Sequence, residues 1–179
     1  MTPSIQYGAL VNGPRNASST VEARTVASGR LVLLLGIQGD LATPALESIK
    51  GMFARVDRAD VAAAARLVAA APPAPYCEGV AVVLLEGTSA IVASSGAARC
   101  YLERGGVLAE LAAGSFELAP GDAIVAASDA SLAVGRVFLG DIPDAPDEAF
   151  HNDRLDAALL AALSSGPRVA VAAARRNAR

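Results

Sequence analysis

From Gly79 to Ala127 the chain is a succession of short apolar runs: GVAVVLLEG, TSAIVASSG, ARCYLERGG, VLAEL and FELAPGDAIVAA. Most end in glycine, and Pro-Gly-Asp interrupts the last. Runs of this length, bounded by glycine, read as strands. Glu86-Gly87 and Gly105-Gly106 have the chemistry of tight hairpin turns. Upstream, residues 4–11 can form a first strand, and 12–20 (NGPRNASST) form a polar loop. VEARTVAS and then LVLLLGI from Leu31 read as strand, turn and buried strand. The second member is apolar on both faces and is broken by Gly36 and Gly39.

Two helices separate these strands from the later ones. The first covers 43–56, with Thr43 as N-cap, Pro44 at the first helical position, and Leu46, Ile49, Phe53 and Val56 on one face. The second starts at Asp57 or Asp60 and stops at Pro72-Pro73, and PPAPY then makes a rigid connector. A further helix spans 147–163 and carries His151, which has no partner cluster and reads as packing or surface. RVAVAAA is a last strand. The order is strands, helices, consecutive strands, helix, strand, which is not the alternation of a doubly wound fold. It fits an α+β class: two packed antiparallel β-sheets flanked by α-helices. Residues 1–174 are read as one domain, and 175–179 as a disordered basic tail.

Composition narrows the function classes. The chain has 179 residues, a length that suits one domain. Only 18% are charged, below the roughly 25% usual for soluble domains. An apolar patch for a partner is therefore expected. The net charge of -3 argues against nucleic acid, and 4% aromatics without tryptophan argue against stacking platforms. Cys77 and Cys100 match no metal spacing and read as two buried thiols in a reducing compartment. The start, MTPSIQYGAL, lacks a signal-peptide pattern, and no apolar run reaches the roughly 20 residues of a membrane span. A cytoplasmic location without membrane insertion is expected.

Five segments carry a resemblance. SSGAARCYLERGGVLAEL, at 94–111, contains Gly96, Arg99, Tyr101, Leu102, Arg104, Gly106 and Leu108 in the pattern Gly-Asp-Ser-Arg-x-Tyr-Leu-x-Arg-x-Gly-x-Leu. Its Asp and Ser are replaced by Ala97 and Ala98. LAPGDAIVAASDA carries Pro120, Gly121 and Asp122, then Ser128 and Asp129, at the spacing of a Pro-Gly-Asp turn, an apolar strand and Ser-Asp-Gly. LLLGIQGD aligns Gly36 and Gly39 with Val-x-Asp-Gly-x-Gly-Gly and places Leu35 at the Asp. In GPRNASST, Arg15 fits an Arg that precedes an Asn-Glu-Asp triplet, here Ser18, Ser19 and Thr20. GPRV, at Gly166–Val169, stands where the pattern has an Asp pair or Asp-Asn before the last strand, and neither acid is present.

These segments resemble the type 2C (PPM-type) metal-dependent Ser/Thr protein phosphatases, above all the smallest bacterial members, which act on regulators of sigma factors. The resemblance implies an α-β-β-α sandwich with a two-metal site at one edge. Phosphomonoester hydrolysis there needs two Mg²⁺ or Mn²⁺ ions to activate a water and clamp the phosphoryl oxygens. Hard cations need converging carboxylates. Of that set only Asp129 stands at its expected position, and the ligands are lost at Thr20, Leu35 and Gly166.

The reading is therefore a pseudophosphatase with no catalytic residue, no metal and no cofactor. It is expected to be a regulatory or protein-binding module in a bacterial phospho-signalling or assembly system. Arg15, Gly36 and Asp129 could still form a remnant pocket for an anion or a partner. Such a partner would be a Ser/Thr kinase, a phosphoprotein or an assembly component. Two alternatives stand beside this reading. One is a divergent phosphatase that holds Mn²⁺ or Mg²⁺ through displaced ligands Glu22, Asp40 and Asp129. The other is a self-associating structural subunit forming a homo-oligomer.

Overall fold

The computed structural model describes residues 5–12, 19–26, 31–39, 42–53, 78–128 and 169–177. The expected second helix, the 147–163 helix with His151, the PPAPY connector, Cys77, and the candidates Arg15, Asp40, Asp129 and Gly166 lie outside these residues.

Ten strands and one helix are described: β1 (Ile5–Asn12), β2 (Ser19–Val26), β3 (Leu31–Gln38), α1 (Ala42–Phe53), β4 (Gly79–Glu86), β5 (Ser89–Gly96), β6 (Arg99–Arg104), β7 (Val107–Leu111), β8 (Gly114–Glu117), β9 (Ala123–Ala127) and β10 (Val169–Arg176). They form two five-stranded sheets, ordered β1-β10-β9-β6-β7 and β2-β3-β4-β5-β8. Every pairing is antiparallel.

β3 and β4 occupy the middle of the second sheet and are apolar on both faces, as a doubly covered strand must be. Period-2 alternation sends Leu31, Leu33, Leu35 and Ile37 to one side, where Leu46, Ile49 and Phe53 of α1 cover them. Leu34 of β3 and Ala81, Val83 and Leu85 of β4 face the other way, toward Cys100, Ile124, Ala126 and Ala172 of the first sheet. Each large side chain buried in these layers contributes roughly 1.5–3 kcal/mol of transfer free energy. The sandwich thus has an inter-sheet core and a separate layer under α1. No helix among the described residues is long and apolar enough to cross a membrane.

Four local expectations change. Gly36 does not break β3; the strand runs through it to Gln38, and Gly39 (φ 138) turns the chain out. α1 begins at Ala42, whose N–H donates to the Gly39 carbonyl at 3.0 Å, so Thr43 falls inside the first turn and is not its cap. Residues 175–177 are not a frayed tail. Arg175 and Arg176 complete β10 opposite Gln6 and Ile5, and Asn177 is buried where its Oδ1 accepts from Gln6 Nε2 at 2.9 Å. The segment 94–111 is only partly a hairpin. β5 and β6 lie in different sheets, and the hairpin is β6–β7 around Gly105-Gly106.

Candidate functional site

Gly36 and the end of β9 come together from opposite sheets. A Cβ on Gly36 would lie 2.8 Å from the Ala127 carbonyl carbon and 2.9 Å from the Ser128 nitrogen. Packed sheets normally stand about 10 Å apart, filled by side chains. Here two backbones meet directly, which only glycine allows. The structure therefore joins two of the aligned segments, LLLGIQGD and the Ser-Asp of LAPGDAIVAASDA, at one end of the sandwich. Ser128 is fully buried, and its Oγ and the Oε1 of Gln38 have no hydrogen-bond partner among the described residues.

Leu35 points away from this contact. It is 0% exposed in the layer under α1, opposite Glu22 of β2 and Val82 of β4. Thr20 pairs with Ile37 and is half-buried. Glu22 shares Leu35's face of the sheet and is held by α1: Lys50 Nζ lies 3.2 Å from one of its oxygens. Arg24 Nη1 is 3.4 Å from the other, and Glu47 is 3.0 Å from the same ammonium. Glu47 first, and then Glu22, raise the Lys50 ammonium above its ordinary value. Glu22 is thus committed to the α1 side of its sheet, away from β9.

Glu78, which lies in none of the five aligned segments, stands at the Gly36 end. Its N–H donates to the Gln38 carbonyl at 2.7 Å, and its carboxylate accepts from Gln38 Nε2 at 3.5 Å. No short motif marks it; its place follows from the β3–β4 register. Among the described residues no three His, Cys, Asp or Glu side chains are grouped to hold a metal ion. A two-metal centre needs several convergent carboxylates, and Asp40 and Asp129, which the displaced-ligand alternative requires, lie outside the described residues.

The opposite end is polar and is closed by an ion-paired clasp. Arg104 of β6 donates through Nε to both oxygens of Asp122, at 3.1 and 3.0 Å, and through Nη2 to Oδ2 at 2.6 Å and to the Glu117 carbonyl at 3.0 Å. Asp122 also accepts from the Ala119 N–H at 2.7 Å and is only 2% exposed. The hydrogen bonds that Arg104 donates to this carboxylate, and then the carboxylate's charge, raise the guanidinium pKa further. The Asp122 carbonyl accepts from the Arg176 N–H at 2.9 Å, while Arg176 Nη1 donates to the Leu118 carbonyl. Two aligned segments thus supply the two halves of one clasp. Arg99 similarly ties the β5–β6 crossing, donating to the carbonyls of Gly96 and Ala98 and lying 3.0 Å from Glu110. Cys100 is a buried free thiol that donates weakly to the carbonyls of Ala93 and Val82, at 3.7 and 3.9 Å, and burial weakens its acidity, with the pKa pushed up to about 12.

No protein-family model matches the sequence, and no curated protein matches it. Solved structures do match its fold. The S. agalactiae serine/threonine phosphatase superposes with a TM-score of 0.65 at 13% identity, covering 96% of this chain and 99% of that one. The catalytic domain of the serine/threonine protein phosphatase PstP, in complex with two manganese ions, gives 0.57 at 17%, covering 97% and 98%. PppA, a key regulatory component of T6SS in Pseudomonas aeruginosa, gives 0.57 at 14%, covering 96% and 97%. At these identities the likeness establishes the architecture: the chain has the type 2C phosphatase fold.

Proposed function

We propose that this chain is a catalytically inactive phosphatase-like domain, a binding or regulatory module in a bacterial phospho-signalling or assembly system. The observation that carries the proposal is Leu35. The position aligned with the bridging acid is a fully buried hydrocarbon in the layer under α1. Among the described residues, those that still match the family pattern lie in turns, within β3, β6 and β7, and in the Arg104–Asp122 clasp, where packing needs them. The displaced-ligand alternative requires Glu22 to converge with Asp129. Glu22 is instead tied to Lys50 on the face of its sheet turned away from the other sheet.

Such a domain binds without turnover. Its partner is a Ser/Thr kinase, a phosphoprotein or an assembly component, held at the remnant pocket of Arg15, Gly36 and Asp129. The chain through Asn177 acts as one cytoplasmic domain, with no metal cofactor.

Calorimetric titration of Mn²⁺ and Mg²⁺ into metal-free protein, with a phosphatase assay on the same sample, tests the reading. No heat of binding and no turnover are expected. Metal-dependent hydrolysis, lost in Asp129→Ala, would overturn it and restore the enzyme.

A further inference from the structure

We propose that β7 pairs with β7 of a second copy of this chain, antiparallel and centred on Ala109. Among the described residues β7 has one neighbour, β6, and ends its sheet. The β6–β7 turn is Gly105-Gly106, with φ 57 and 78, the two left-handed residues of a type I′ turn. Such a turn closes with the Arg104 carbonyl accepting from the Val107 N–H. Hydrogen-bonded pairs then alternate along the ladder, so Leu102–Ala109 and Cys100–Leu111 are bonded pairs. The N–H and C=O groups of Leu108 and Glu110 are left aimed at the open edge.

Natural edge strands are usually blunted by charge, proline or a bulge. β2, an edge of the other sheet, carries Glu22 and Arg24. β7 reads VLAEL; it has no proline, and its one charge, Glu110, is taken up by Arg99 of the neighbouring strand. Its first residue, Val107, is 66% exposed and is the exposed large hydrophobic among the described residues.

The occupant is a second copy because the strand complements itself. Centring on Ala109 matches Leu108 with Glu110 of the second copy, and Glu110 with its Leu108. Each match is a bonded pair, giving four backbone hydrogen bonds. The two Ala109 residues meet as a non-bonded pair, where side chains approach closest. Val107 falls beside Leu111 of the second copy and is covered. Centring on Glu110 instead would set like charges opposite one another. In the Ala109 register the carboxylates stay offset, and each is already paired with its own Arg99. Five residues a side make a small contact, so the association belongs at the weak end of protein interfaces.

Sedimentation across a range of protein concentrations, with cysteine cross-linking, tests this. The wild-type molar mass should rise with concentration toward twice that of one chain. Ala109→Cys should form a disulfide-linked dimer on mild oxidation, since non-bonded cross-strand pairs suit a disulfide. Ala112→Cys, exposed but beyond β7, should cross-link far less. Leu108→Pro removes an edge-facing N–H without taking a bond from the β6 ladder, and it should hold the chain monomeric. If that variant misfolds, Val107→Lys serves the same purpose at an exposed site. A wild-type chain that stays monomeric when concentrated, or equal cross-linking by the Ala109 and Ala112 variants, would overturn the proposal.

Discussion

At one end of the sandwich Arg104 grips Asp122, and five carbonyl and carboxylate oxygens take up its donors and those of Arg176. At the other, Gly36 meets the Ala127 and Ser128 backbone with no side chain between them. Both ends were aligned with the same fold family, yet they have fared differently. The clasp end keeps charged residues because each has its partner, and a buried carboxylate is stable only in that state. At the Gly36 end, carboxylates in the aligned positions would repel without cations to neutralise them. Apolar packing at Leu35 replaces that requirement. On the proposed function, this scaffold has retained its polar staples while the position aligned with the bridging acid has become core.

The hardest test of this contrast is to restore the acid. Leu35→Asp buries a charge in the layer under α1 and should cost roughly 4 kcal/mol. Urea denaturation with and without Mn²⁺ reads it, and no recovery with metal is expected. Recovery would place a cation beside Leu35 and break the comparison.

Next comes the backbone contact. Gly36→Ala should lose about 3 kcal/mol, because both neighbours of the new methyl are main chain and cannot swing away. Gly51→Ala in α1, which meets nothing within 4 Å, should instead gain roughly 0.5–1 kcal/mol. Equal effects at the two glycines would mean that the sheets can part at the Gly36 end.

At the clasp, Asp122→Ala should cost about 2 kcal/mol, through the lost charge-assisted bonds and the stranded Ala119 N–H. The effect should be additive with Gly36→Ala if the two ends are independent. Non-additivity in a double-mutant cycle would couple them.

The smallest effect lies between the ends, at Cys100. Burial raises its thiol from an ordinary 9.0 to about 12. The folded chain then keeps a proton that the unfolded chain releases, so this contribution is whole below pH 9 and fades as pH climbs toward about 12. Cys100→Ala should flatten the alkaline limb of the stability profile. An unchanged limb would show the thiol to be solvated in the native state.

Much of the fold was legible, because it is local. The runs after Gly79 are strands, and Gly105-Gly106 is the tight turn its composition announces. The division of those strands between two sheets was not legible, since the β5–β6 crossing at Gly96 and the β6–β7 turn look alike in sequence. The face of Leu35 was hidden for a related reason. β3 is apolar on both sides, so its period-2 pattern does not say which side meets α1. The loss of acids from the aligned positions could be read directly. The tie between Glu22 and Lys50, the place of Glu78 and the role of Arg175–Asn177 depend on residues far apart in the chain, which leave no periodic trace.

β10 lies between β1 and β9 in the finished sheet, although both precede it in the chain. During synthesis, neither strand can meet its inner neighbour until residues 169–176 have left the ribosome. Once β9 has been made, the nascent domain must hold two apolar edges apart until β10 arrives. Pairings of such long range form late and slowly. A ribosome stalled before residue 169 would leave a sheet with a gap in its middle, open to aggregation or to capture by a chaperone.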